Sequence, residues 1–164
     1  EEENELLSAV VKINNDRVTR FCRRIEQHFG SLEGKTLGVL GLAFKPDTDD
    51  LREARSLDII RHLLPRGARI KAYDPVALAN AREILSKEAT EEKIVFCESA
   101  FEAAEGADAL VIVTEWREFK NLNLERVKNS MKTPIIFDGR NIYPPQRLEA
   151  LGFKYFSIGR GGFA

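Results

Sequence analysis

From position 36 to 44 the chain reads Thr-Leu-Gly-Val-Leu-Gly-Leu-Ala-Phe, an apolar run without polar alternation, and then turns to Lys45, Pro46 and a charged loop. A run of this length and continuity predicts a strand over 36–44 that is covered on both faces. Pro46 pushes Lys45 away from the helical region toward an extended backbone, so the lysine should stand at the strand's carboxyl end, facing a crevice. Further apolar runs predict strands near 69–74, 94–97, 109–114, 134–138 and 155–158. Helical periods lie between them. Leu57, Ile60, Leu63 and Leu64 form one face of the first, which stops near Pro65 to Gly67; Ala77 to Ser86, Ala100 to Glu105, Leu124 to Ser130 and Pro145 to Leu151 supply the others. Alternating strands and helices predict an α/β fold with a doubly wound, mostly parallel, Rossmann-like sheet of about six strands.

Ahead of this pattern, Leu7, Val11, Val18, Phe21, Ile25 and Phe29 keep a near-heptad spacing, which marks a long amphipathic helix ending at Gly30-Ser31. Its apolar stripe needs a partner. Asn14 lies on that stripe, where a polar residue sets register, bonds locally or reaches a ligand. The chain therefore divides into a helix at residues 1–30 and a globular domain at 31–164.

With 164 residues, 43% of them hydrophobic and 31% charged, the chain is long enough for one core and is not of disordered composition. A net charge of -1 without a basic stripe argues against bulk binding to nucleic acid. Two cysteines, Cys22 and Cys97, are too few for a disulfide framework, and no apolar run reaches the roughly 20 residues that cross a bilayer. A reducing cytoplasm is the expected compartment. The opening Glu1-Glu2-Glu3-Asn4, with no starting Met and no signal peptide, reads as mid-helix, so a longer protein is expected.

If the strand order is 3-2-1-4-5-6, the switch point falls between the first and fourth strands and ligands bind outside their carboxyl ends. Three loops converge there. They carry Phe44, Lys45, Thr48, Asp49, Asp50 and Arg52, then Thr114, Glu115 and Trp116, then Asp138, Gly139, Arg140 and Asn141. The set offers cations for phosphate, polar groups for a sugar or base, and an aromatic face. Asp49, Asp50 and Glu53 fit a helix start, with capping-box spacing from Asp50 to Glu53 and Asp49 free to orient Lys45. Trp116 fits either a base or the loop after the first strand. His28 and His62 have no partners at metal-ligand spacing.

This fold commonly holds a nicotinamide cofactor, but the glycine pattern here does not. A dinucleotide fingerprint needs G-x-G-x-x-G so that backbone can approach a pyrophosphate. Gly38 and Gly41 are followed by Ala43, Phe44 and Lys45, whose side chains occupy that approach. Asp74 lies farther along than the usual spacing of about 20 residues, so Asp74-Pro75 reads as a turn or helix start rather than a ribose clamp.

Gly41-Leu42-Ala43-Phe44-Lys45-Pro46, Thr48-Asp49-Asp50-x-Arg52-Glu53, Ala72-Tyr73-Asp74-Pro75, Thr114-Glu115-Trp116 and Phe137-Asp138-Gly139-Arg140 occur in this order. Together they resemble the C-terminal domain of the UDP-glucose 6-dehydrogenase family, from part of its central helix to the tail at Ile158-Gly159-Arg160. The resemblance implies a UDP-binding domain of an NAD-dependent enzyme that oxidises UDP-glucose to UDP-glucuronate in two hydride transfers through a cysteine-bound intermediate. Residue by residue it implies substrate contacts from Phe44, Lys45 and Arg140, and a contact from Arg52 to NAD held mainly by another domain. It also implies that residues 1–30 belong to a central helix supporting a homodimer. The family's catalytic cysteine sits in a glycine-rich loop that neither Cys22 nor Cys97 occupies, so both are read as packing residues and the chain by itself as catalytically silent. Two other readings stay open: a free-standing nucleotide-binding or receiver-like module, and a dehydrogenase of another UDP-sugar such as UDP-N-acetylmannosamine.

Overall fold

All four residues of β4 (Ala109–Ile112) and of β5 (Ile135–Asp138) are buried, as are the last four of β1 (Thr36–Leu40). Strands covered on both faces lose the alternation of a one-sided sheet. Toward the edges, β2 (Arg69–Tyr73), β3 (Ile94–Phe96) and β6 (Lys154–Ser157) mix buried and exposed positions. The computed structural model describes residues 5–159, with side chains from residue 16 onward. Every pairing is parallel, and the six-stranded order is β3-β2-β1-β4-β5-β6, as expected for the doubly wound fold.

Right-handed crossovers that reverse direction after β3 send their helices to opposite faces. The helices are α2 (Arg55–Leu63), α3 (Leu78–Leu85), α4 (Ala100–Ala104), the short α5 (Arg117–Lys120), α6 (Leu124–Ser130) and α7 (Pro145–Ala150). α4 packs beside β1 and α6. That contact is tight: a Cβ on Gly38 of β1 would lie 2.5 Å from the Ala103 carbonyl oxygen. Because the β4-to-β6 crossovers share one face, the opposite face of β5 and β6 needs another cover. The preceding helix α1 (Glu5–Phe29) supplies it, packing against α2. His28 meets the rings of Phe137 and Phe156 edge-on, and Arg24 donates to the Ser157 carbonyl at 2.9 Å. Phe21, Cys22 and Ile25 join the common core. The Asn14 side chain and Arg160 lie outside the described residues. Among the described residues no helix is long and apolar enough to cross a membrane.

Two local expectations need correction. The first strand stops at Leu40 rather than 44, because Gly41 turns the backbone to φ 90°; Leu42 and Ala43 continue as buried loop. The first crossover helix starts at Arg55, with Ala54 as N-cap and no side-chain cap, so Asp50 and Glu53 form no capping box. Glu53 has φ 58°, which separates Asp50 from the helix. The one-turn α5 was too short for its period to be legible.

Candidate functional site

The loops that follow β1, β4 and β5 meet at the carboxyl edge of the sheet, where the strand order reverses. Gly41 opens the first of them. Its φ of 90° is left-handed, and a Cβ there would lie 2.6 Å from Thr114, so glycine is required on two grounds. The next two peptides are held by buried side chains from three elements. Asp74 Oδ2 accepts the N–H groups of Leu42 at 2.7 Å and Ala43 at 3.0 Å. Ser56 Oγ donates to the Leu42 carbonyl, and Thr114 Oγ1 to the Ala43 carbonyl at 2.6 Å.

This anchoring delivers Phe44 and Lys45 to the surface. The Phe44 N–H donates to the Asp50 carbonyl at 2.9 Å, closing the loop, while the residue as a whole is 52% exposed. Lys45 is exposed and has no hydrogen bond or ion pair among the described residues. Asp49 does not orient it, contrary to expectation; the Asp49 carboxylate accepts from the Asn80 amide at 3.1 Å instead. Asp50 is engaged by Arg52, through its backbone N–H at 2.9 Å and its guanidinium at 2.8 Å. Those side-chain and backbone hydrogen bonds, with the charges of Arg52 and Lys45, pull the Asp50 carboxyl down to about 2 against a small opposing effect of burial. Arg52 itself projects outward, its side chain 90% exposed.

The loop after β5 is organised by Asp138, which is fully buried. Its Oδ1 accepts the Arg140 N–H at 2.8 Å, and its Oδ2 accepts the Ile142 N–H at 2.8 Å and the Tyr155 hydroxyl at 2.7 Å. The backbone of Arg140 is thereby set. Its guanidinium is set by Glu115, which accepts from Nε across the loop after β4. Partial burial pushes the Glu115 carboxyl up, but the hydrogen bonds from Arg140 and from its own backbone, with the charges of Arg140 and Lys120, outweigh that and leave it below the ordinary glutamate range.

Trp116 presents no face to a base. It is buried, and its indole N–H donates to Asp74 Oδ2 at 3.1 Å, so it packs against the anchored loop. Behind Arg140 lies a cavity of about 210 Å³ between α1, α2 and the ends of β4 and β5, lined by Arg17, Arg55, Arg140, Phe21, Ile59 and Ile112 among others. Arg17 and Arg55 were not anticipated there, since only the packing of α1 beside α2 brings them to it. Sequence reasoning also missed the anchoring roles of Asp74 and Asp138; the signal available was an acid directly after an apolar strand.

Neither cysteine is a nucleophile in this setting. Burial, with the nearby Glu26 carboxylate adding to it, pushes the Cys22 thiol up to about 12, and burial with Glu102 raises Cys97 to about 11. Both are free and buried. His62 hydrogen-bonds Glu26 at 2.5 Å, and among the described residues no three potential ligands could hold a metal ion.

Residues 38–145, from β1 to the first residue of α7, match the UDP binding domain of the UDP-glucose/GDP-mannose dehydrogenase family. The chain belongs to this family. Its relatives include a UDP-glucose 6-dehydrogenase of Bacillus subtilis, 42% identical over 98% of this chain and 35% of that protein. A UDP-glucose 6-dehydrogenase of Pseudomonas aeruginosa is 46% identical over 80% of this chain and 29% of that protein. Among solved structures, a UDP-glucose dehydrogenase from the archaeon Pyrobaculum islandicum superimposes with a TM-score of 0.77 at 28% identity, over 94% of this chain and 32% of that one. The chain thus spans about a third of the length of the relatives it matches. Within the family domain lie all four residues expected to make contacts, Phe44, Lys45, Arg52 and Arg140.

Proposed function

We propose that this chain holds the UDP end of the substrate in an NAD-dependent UDP-glucose 6-dehydrogenase, with Phe44, Lys45 and Arg140 as its contacts. The observation that carries the reading is an exposed lysine without a hydrogen bond among the described residues and a pre-oriented arginine, on loops that both leave the carboxyl edge of the sheet at its switch point. An ammonium supplies a point charge and a guanidinium a planar fork, and the two together suit a diphosphate. Phe44 adds an apolar surface for the nucleoside. Binding energy gained at the nucleotide orients a sugar carbon that reacts elsewhere. Glu115 keeps the guanidinium in place before substrate arrives, which lowers the ordering needed on binding.

NAD, the hydride acceptor in this reading, does not fit the glycine turn of this chain. The Leu42 and Ala43 N–H groups, which a pyrophosphate after β1 would need as donors, are already taken by the buried Asp74 carboxylate. The cofactor is assigned to the remaining part of the enzyme, and Arg52 is the single contact to it proposed for this chain. A second copy joining along α1 and a cytoplasmic setting belong to the same proposal. A receiver-like module is disfavoured by Asp138, whose two oxygens are committed to buried hydrogen bonds, and by a strand order other than 2-1-3-4-5.

Calorimetric titration of the chain with UDP, UDP-glucose, other UDP-sugars and NAD tests the proposal. Heat from UDP and UDP-glucose, with little from NAD, is the expected result. Preferential binding of NAD overturns it.

A further inference from the structure

The Phe44 N–H closes its loop locally on the Asp50 carbonyl, but the two peptides that lead into the loop are held from elsewhere in the sequence. Its two leading peptides, Leu42 and Ala43, have left the sheet, so their N–H groups have no ladder partner and must find acceptors elsewhere. Both find Asp74, at the end of β2 and only 1% exposed. The same carboxylate takes the indole N–H of Trp116 on Oδ2 and the Val76 and Ala77 N–H groups, at 2.9 and 2.8 Å, on Oδ1. Five donors from three segments therefore converge on one side chain. Two of the donors directly precede Phe44, and a third directly follows Glu115, the ion partner of Arg140.

We infer that Asp74 is a positioning residue for substrate binding, fixing the Phe44-Lys45 loop against the Glu115-Trp116 loop so that Lys45 and Arg140 are presented together. The inference rests on the proposed function. Only a side chain with two accepting oxygens meets the demand, because each oxygen takes at least two N–H groups. An asparagine amide would turn its NH2 toward the donors of one segment or the other, and the loop would shift to relieve the clash.

The test is steady-state kinetics of the intact dehydrogenase that carries this domain, in the variants Lys45→Ala, Asp74→Asn and the two combined. Asp74→Asn should raise KM for UDP-glucose by about ten- to a hundredfold, as expected for a site displaced by about an ångström. The KM for NAD should change less, staying within about threefold, since Arg52, the one NAD contact proposed here, is held by Asp50 and not by Asp74. The double variant should fall within about threefold of the weaker single variant, because Asp74 acts through the loop that carries Lys45. Independent multiplication of the two effects, or an unchanged KM in Asp74→Asn beside a raised one in Lys45→Ala, overturns the inference and leaves the proposed function standing. An unchanged KM in Lys45→Ala overturns both. If Asp74→Asn does not fold, Trp116→Phe removes only the indole donor: a KM raised about threefold and non-multiplicative with Lys45→Ala supports the inference, and an unchanged KM overturns it.

Discussion

Arg140 and Glu115 meet across the mouths of two adjacent strands, the guanidinium Nε donating to the carboxylate, while the Arg140 backbone is tied to buried Asp138. The pair is partly exposed, with side-chain exposures of 39% and 32%, so its contribution to stability is discounted for solvent. Its folded-state carboxyl is depressed, so whatever it stabilises is present above the ordinary glutamate value of 4.5 and fades as pH falls through the lower folded value. Glu115→Gln should lower stability at pH 7 by about 0.5 kcal/mol, a difference that vanishes in strong acid. Urea denaturation at pH 7 and pH 3 would show it, and a constant difference across that range would contradict the ion pair.

Lys45→Ala should leave folding intact, because the side chain is exposed and bonds to nothing described. In the intact enzyme it should weaken UDP-glucose binding by about tenfold or more, the equivalent of one charge-assisted hydrogen bond to phosphate. Initial-rate kinetics, with thermal unfolding as the control for folding, measure both.

Gly41→Ala should be severely destabilising. Left-handed backbone at φ 90° costs a β-carbon about 1–3 kcal/mol, and overlap with Thr114 at 2.6 Å adds about 1–3 kcal/mol more. Denaturant titration of the variant would register a loss of roughly 2–6 kcal/mol, and a loss under 1 kcal/mol would mean the loop adapts.

Cys22 and Cys97 should resist alkylation in the folded chain at pH 8, since thiols raised to about 12 and about 11 are almost wholly protonated and both are buried. Mass spectrometry after iodoacetamide treatment should find both unmodified until denaturant is added. Rapid native labelling of either would show that the packing described around it opens.

Much of the architecture was legible because period and apolar continuity are local. The order 3-2-1-4-5-6 enters as a supposition from the dinucleotide fold and is the order the sheet has, whereas a charged loop with Lys45 after the first strand and a helical stop near Gly67 follow from such local signals. The error at the end of β1 has the same origin. Leu42 and Ala43 continue the apolar run, and burial does not distinguish a strand from a loop pinned under neighbouring elements. Likewise Asp50 and Glu53 have the spacing of a capping box, but the positive φ at Glu53 moves the helix start beyond them.

The chain's own order of apolar and polar residues determined the α/β alternation, the doubly wound sheet and the edge at which Lys45, Arg52 and Arg140 emerge. Tertiary structure alone decided which charged groups remain available there. Asp74 reaches Leu42 across 32 residues and Trp116 across 42, and Thr114 reaches Ala43 across 71. Pairings of that range depend on where the parallel strands end relative to one another, a relation set by packing of the whole sheet and invisible to any local period.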